Sequence, residues 1–375
     1  MKTWIITCIA TIAWFAQPAK AAVSEWTILV YWAVDNDLYQ FSIPYLEEFN
    51  RLNLKTTEKI NIVVQYDHAS PRRTERQVLN HLGHRGFSVV EVLGSNLNSA
   101  SPKTFSDFLN WGVSQFPAKK YALVVGSHGS NWSGLIEDAP MNEYMTLENF
   151  ASALRSGPKM DLLLFDTCNM SFLETLHVLK GTAPIMVGSN YFLNGLDHVH
   201  PIRWLSRNLN ASPEEFAKRY VRSYPWTKGN FKEKDFALSA LRLTETQSFV
   251  AELESFFAEI SLQSDANKIR LYQRLKKSFD TEDAETAFDL FELIRVAGRL
   301  SDPLKKKARL LEQQNSWVIA TGHTFRTKPH SGVSITCSMN QREYSKIGLG
   351  KIAQAWNALC SFWNQEFPVQ KTAKP

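Results

Sequence analysis

Tyr121-Ala-Leu-Val-Val-Gly-Ser-His128-Gly129 and Asp161-Leu-Leu-Leu-Phe-Asp166-Thr-Cys168 are the two stretches whose reading decides the fold of this chain. Each is a short, continuous apolar run that ends abruptly in small and polar residues. Such runs read as strands covered on both faces, the habit of parallel sheets. A helical pattern over residues 147–154 lies between them, so together they form a βαβ unit. A right-handed crossover then sets the strands side by side, with His128 and Cys168 leaving the same sheet edge.

The alternation extends outward in both directions. Residues 26–34 and 59–67 are strand-like and flank a helical pattern over 38–54. A hairpin follows from 76–79 and 87–93, then a helix over 104–116 opened by Ser101-Pro102. Downstream, 171–180 reads as a helix and 184–188 as a strand. The prediction is an α/β fold, a three-layer α/β/α sandwich on a mostly parallel sheet. Sheets of this kind hold their ligands beyond the carboxyl ends of the strands. After about residue 205 the pattern changes. Residues 236–243 are strand-like, whereas 244–314 are charged, helical and nearly free of Gly and Pro. Phe249, Leu253, Phe256, Phe257 and Ile260 recur there at helical spacing. A final strand pair (317–322 and 332–337) and a helix over 349–367 close the chain. The expected organisation is therefore a leader over 1–21, an α/β core over 22–205 and a helical region over 206–375 whose late strands complete the sheet. Residues 224–234, polar, basic and broken by Pro225 and Gly229, read as an exposed loop.

A Cys/His pair at one sheet edge is what thiol acyl transfer needs. The imidazole moves the thiol proton, and covalent attack divides one difficult step into two easier ones. Backbone N–H groups in the turns after each strand can meet a developing oxyanion, and Gly129 permits close approach. A helix beginning near Asn169 would turn its positive end toward Cys168. The plainer reading of the same residues is a buried core cysteine and a His-Gly turn.

The surrounding residues resemble the caspase–legumain–gingipain–clostripain group of cysteine peptidases, and the clostripain-like branch in particular. The resemblance rests on Trp26-Thr-Ile-Leu-Val-Tyr-Trp-Ala-Val-Asp-Asn-Asp-Leu38, Asn61-Ile-Val-Val-Gln-Tyr-Asp67 with Arg72-Arg73, and Asn110-Trp-Gly. It rests further on the block from Tyr121 to Trp132, on Phe165-Asp-Thr-Cys-Asn-Met170 and on Ser331-Gly-Val-Ser-Ile335. It covers most of 26–340 and is densest in the N-terminal half. It implies a caspase-like sandwich acting on protein or peptide substrates, with Cys168 as nucleophile and His128 as general acid/base. It also implies an oxyanion hole from the N–H groups of Gly129 and Cys168, and Asp166 lining a pocket for a basic P1 side chain. The family carries an acidic pair and a Gly-Asp-Gly-Trp-like segment after the following strand. Here 189–197 reads Ser-Asn-Tyr-Phe-Leu-Asn-Gly-Leu-Asp, so Leu196 stands in the place of a second specificity carboxylate and Asp197 one position along. No cofactor is implied for the chemistry; calcium dependence occurs in the family. Some members cut themselves after the catalytic block, and 224–234 is where this chain would allow it.

Composition narrows the alternatives. With 375 residues, 44% hydrophobic and 21% charged, the chain is neither disordered, collagenous nor coiled coil. Residues 1–21 read as a secretory signal: Lys2, an apolar run from Trp4 to Phe15, and Ala19-Lys20-Ala21 as a cleavage pattern. The run is too short for a membrane span, and the protein is expected to be secreted or periplasmic. Losing Lys2 and Lys20 lowers the formal charge from +5 to +3, which with no Lys/Arg stripe gives no basis for a nucleic-acid partner. Three cysteines remain, and Cys337 and Cys360 read either as a disulfide or as two buried thiols. His198-x-His200 has the spacing of two metal ligands but reads better as loop histidines. Asp35-Asn36-Asp37 resembles half a calcium loop, yet helix capping accounts for it more simply. Two rival functions share these features: a non-catalytic binding protein, and an amidase or transpeptidase using the same cysteine.

Overall fold

The computed structural model describes residues 23–367, apart from 51, 53–58, 81–85, 194, 228–236, 244–245, 279–286, 324–330 and 338–340. The proposed leader therefore lies outside the described residues. The strands, in chain order, are β1 (Ser24–Val34), β2 (Ile60–Ala69), β3 (Arg72–Leu79), β4 (Phe87–Gly94), β5 (Ala118–Gly126), β6 (Leu135–Asp138), β7 (Glu143–Met145) and β8 (Leu162–Asp166). They continue with β9 (Ile185–Gly188), β10 (Ala237–Arg242), β11 (Ala287–Asp289), β12 (Val318–His323) and β13 (Ser334–Thr336). Among the described residues, nine of these form one sheet in the order β12-β10-β9-β8-β5-β1-β2-β3-β4. The five central strands, β9 to β2, pair in parallel, and an antiparallel pair extends the sheet at each side.

Alternation along the strands explains the three layers. In β1, Ile28, Val30 and Trp32 face one way, while Leu29, Tyr31 and Ala33 face the other. The first face is covered by Phe49 of helix Tyr39–Asn50, by Ile202 and Leu205 of helix Val199–Leu205, and by Phe216 and Tyr220 of helix Pro213–Thr227. The second is covered by Phe105 and Phe108 of helix Pro102–Gln115 and by Phe150 of helix Leu147–Ser156. The C-terminal helices join this second layer. Phe257 stacks on Trp356 with ring centroids 4.8 Å apart, inside the same continuous core.

Several local expectations are corrected. Segments 317–322 and 332–337 do not pair with each other: β12 lies on β10, and β13 pairs with β11 in a small separate sheet. Strand β11 also interrupts the region expected to be wholly helical over 244–314. The start of the supposed loop 224–234 is helix, with Tyr224 buried, and 228–234 lies outside the described residues. The missed helix Pro213–Thr227 carries a capping box: Ser212 N–H donates to Glu215 Oε2 at 2.7 Å, and Glu215 N–H to Ser212 Oγ at 3.2 Å. Of the two readings of Cys337 and Cys360, the disulfide is the one observed, with Cα atoms 5.5 Å apart. No helix among the described residues is long and apolar enough to cross a membrane.

Glu174 is a buried carboxyl that links stability to pH. Glu174 accepts hydrogen bonds from Thr336 N–H at 3.1 Å and Tyr344 Oη–H at 2.6 Å, and burial pushes its pKa up to about 7. A raised acid favours the fold while protonated, so its contribution is full below the ordinary glutamate range and is lost as pH rises to about 7. The expected result is a melting temperature that falls between pH 5 and pH 8, reflecting on the order of 3 kcal/mol. Glu174→Gln should flatten that slope in a thermal scan. A variant with the wild-type slope would assign the effect elsewhere.

Candidate active site

The site grows from strand register. Gly126 of β5 pairs with Asp166 of β8, so His128 and Cys168 each lie two residues beyond an aligned pair. Strand β1 sits between β2 and β5, which makes its carboxyl end the point where the chain changes direction across the sheet. Asp35, Asn36 and Asp37 follow that end directly. His128, Cys168 and Asp37 thus emerge together at the edge where parallel sheets hold ligands.

Gly129 is required by close approach. A Cβ built there would sit 2.5 Å from the Cys168 carbonyl oxygen and 2.8 Å from Thr167 Cβ. The turn is closed by Ile136 N–H to the His128 carbonyl at 3.1 Å and by Ser130 N–H to the Gly134 carbonyl at 3.0 Å. That pairing leaves out the N–H of Gly129 itself. Imidazole Nε2 of His128 lies 2.6 Å from Asp37 Oδ1 and 3.6 Å from Glu137 Oε2. A cleft of about 640 Å³ opens beside these groups, lined among others by Asn36, Ser133 and Tyr144. Burial raises the Tyr144 hydroxyl above its ordinary range, and the nearby charges of Glu137 and Cys168 add to the shift.

Cys168 lies in a turn, not at a helix end. The next helix begins at Leu173, which corrects the expectation of a start near Asn169. Helix-terminal fields fade within about one turn, so the thiol is not held by the helix's positive end. Asn169 instead adopts a left-handed φ of +56°, and its N–H donates to the Tyr191 carbonyl at 3.1 Å. The chain returns to this thiol further on: Leu193 N–H donates to Cys168 Sγ at 3.3 Å. A strand from near the chain's end braces this turn. Ser334 N–H donates to the Ser171 carbonyl at 3.0 Å, and Asn190 Nδ2 to Ser334 Oγ at 2.9 Å.

Asp166 is already engaged. Its Oδ1 accepts from Leu196 N–H at 2.7 Å, and its Oδ2 lies 3.0 Å from Nε2 of buried His198. Nδ1 of His198 lies 3.1 Å from Tyr220 Oη, and its ring stacks on Phe49. Asp197 turns to a different partner, with Oδ2 2.9 Å from His200 Nδ1. His198 is buried and His200 exposed, so the two do not converge as a ligand pair. The three residues Asp35, Asn36 and Asp37 also diverge. Asp35 pairs with Arg72 at 2.8 Å, and the Asn36 amide donates to the Glu137 carbonyl at 3.1 Å. Asn36 Oδ1 accepts from Leu38 N–H at 3.0 Å, a turn that leads into the first helix. This trio does not fit a calcium loop. Sequence reasoning missed Asp37 and Glu137 as neighbours of His128. Only Asp37 left a signal, its position at the end of the strand beside β5.

A sequence profile of the clostripain family matches residues 30–359. Among solved structures, the chain is similar to an inactive zymogen C11 protease from Parabacteroides distasonis. The two share 20% identity over 92% of this chain and 97% of that one, with a TM-score of 0.66. A secreted C11 cysteine protease from Bacteroides thetaiotaomicron, bound to an irreversible peptide inhibitor, shares 18% identity over 90% and 99%, with a TM-score of 0.65. A structure of the secreted C11 cysteine protease "iotapain" from the same organism gives 14% identity over 90% and 99%, with a TM-score of 0.68. Comparison with curated proteins returns no match. At these identities the solved structures speak for a common fold.

Proposed function

The chain belongs to the clostripain family of cysteine peptidases, and from that premise we propose that it hydrolyses peptide bonds through Cys168 and His128. The observation that carries this is the register of β5 and β8, which delivers both residues to one sheet edge. Asp37 holds the ring through Nε2, leaving Nδ1 to take the thiol proton. The thiolate attacks the peptide carbonyl carbon, and the oxyanion meets the N–H groups of Gly129 and Cys168. The imidazolium then gives its proton to the departing amine, leaving a thioester on Cys168. Water, deprotonated by the same imidazole, attacks the thioester; the acid leaves and the thiol is restored. None of these steps calls on a metal or other cofactor.

In this reading Asp166 selects Arg or Lys at P1. It is a buried carboxylate two residues before the nucleophile. Its two oxygens are held by Leu196 and His198, and Leu193 covers the thiol. Substrate entry therefore requires Leu193 to withdraw from the thiol, and Leu196 and His198 from the carboxylate. The chain is exported, with its leader removed after about Ala21; N-terminal sequencing of the protein from culture fluid or periplasm tests that.

The direct test is labelling with a peptidyl acyloxymethyl ketone ending in Arg, followed by mass mapping. Label on Cys168, with loss of activity in step, is expected. Complete inactivation with Cys168 unmodified would remove it as the nucleophile.

A further inference from the structure

Two carboxylates converge on one ring nitrogen at this site, one more than is needed to orient an imidazole. His128 Nε2 is 2.6 Å from Asp37 Oδ1 and 3.6 Å from Glu137 Oε2, and the ligand atoms of all three residues lie within 4.8 Å of one another. A single N–H serves one such acceptor and leaves two like charges side by side. The local backbone fixes Glu137 in this position. The register of β6 on β7 breaks between Leu135 and Glu137, where Ile136 takes a left-handed φ of +64°. For a β-branched residue that conformation is costly. Glu137 N–H donates to Ser127 Oγ at 3.1 Å, and its carbonyl accepts from the Asn36 amide at 3.1 Å. Its backbone is thus pinned at both ends, and its carboxylate opens on the cleft.

We propose that Asp37, His128 and Glu137 form a reversible inhibitory site for a divalent cation of the zinc class. One imidazole nitrogen and two carboxylate oxygens suit such an ion, with the fourth position open to water from the cleft. Calcium is disfavoured, since it takes six or more oxygen ligands. Ligand atoms around tetrahedral zinc stand about 3.3 Å apart, given bond lengths near 2.0–2.1 Å. The two separations on Nε2 bracket that value, and the side chain of Asp37 is 84% exposed and able to adjust. Inhibition follows from the tautomer. With the Nε2 lone pair on the metal, the ring's single proton sits on Nδ1, which then has no lone pair for the thiol proton. The inhibitory consequence rests on the dyad reading above; cation binding does not.

Calorimetric titration with Zn²⁺ separates the two. Cys168→Ala protein, which has no active-site thiol, should bind one Zn²⁺ as tightly as the wild type, and adding Glu137→Gln should weaken it at least about 10-fold. In the wild type, peptide hydrolysis should be lost as Zn²⁺ saturates this site and return with EDTA. Glu137→Gln, measured against its own turnover without Zn²⁺, should need about 10-fold more Zn²⁺ for the same fractional inhibition. Ca²⁺ at the same concentrations should not compete. Binding that disappears with Cys168 would assign the ion to the thiol and overturn the proposal. Affinity unchanged in the Glu137 variant, or no Zn²⁺ binding at all, would overturn it equally. Retained binding without inhibition would refute its effect on the dyad. A wild type inactive on every peptide would count against the dyad and leave the calorimetric test standing.

Discussion

Cys168→Ala is expected to lower peptide hydrolysis by on the order of 10⁶-fold without changing the melting temperature by more than a few degrees. The size of the loss follows from the proposed mechanism, in which Cys168 Sγ forms the acyl intermediate. The small effect on folding follows from the position: Cys168 is in a half-exposed turn, and its backbone is held by neighbours on both sides. Leu193 N–H loses a sulfur acceptor at the rim of the site, which is a modest cost where water can enter. His128→Ala should be nearly as damaging, and the double variant scarcely worse than either, because nucleophile and base act as one unit. Single-turnover assays on matched, folded preparations measure all three. A Cys168→Ala protein cleaving at the wild-type rate would end the mechanism described here.

The second large effect concerns selectivity. Asp166→Asn should lower kcat/KM for Arg and Lys substrates by about 10²-fold, and that for a neutral P1 residue far less. The reason is desolvation: a buried guanidinium needs a charged acceptor, and the amide supplies only a neutral one. The exchange keeps the side chain's shape. Asn Oδ1 can still accept from Leu196 N–H, so the packing of His198 on Phe49 should survive. Leu196 provides no second carboxylate, which sets the discrimination against neutral residues lower than a two-acid pocket would give. A peptide library would read this directly. A clear preference for acidic or large apolar P1 residues would take the specificity role from Asp166.

The centre of the sheet was legible in the sequence because its strands carry continuous apolar runs. Runs such as Leu162 to Phe165 are apolar at every position, and an element buried on both faces leaves little room for other readings. Among the short elements that escaped, β6 and β7 did so for the opposite reason. Strands β6 and β7 are four and three residues long, too brief for a period to register. Their register depends on Ile136 adopting a backbone conformation that no propensity would assign to isoleucine. Within the site, His128, Gly129 and Cys168 were visible because each ends or follows a strong strand. The contacts of Asp166 with His198, and of Leu193 with Cys168, were not. Both depend on where Leu193 and His198 are brought in space, which follows contacts made in three dimensions. The pairing of 317–322 with 332–337 failed because adjacency in sequence was taken for adjacency in space. The edge offered by β10 is the better partner for β12.

The bracing of the nucleophile's turn by Ser334 bears on the order in which a ribosome delivers this molecule. A nascent chain extended only through β12 already carries His128, Cys168 and the whole nine-stranded sheet. It still lacks the residue whose N–H meets Ser171 and whose hydroxyl meets Asn190. Synthesis must therefore run past Ser334 before the turn that carries Cys168 gains this brace. A chain assembled on that schedule carries both residues of the proposed dyad before the turn that holds one of them is braced.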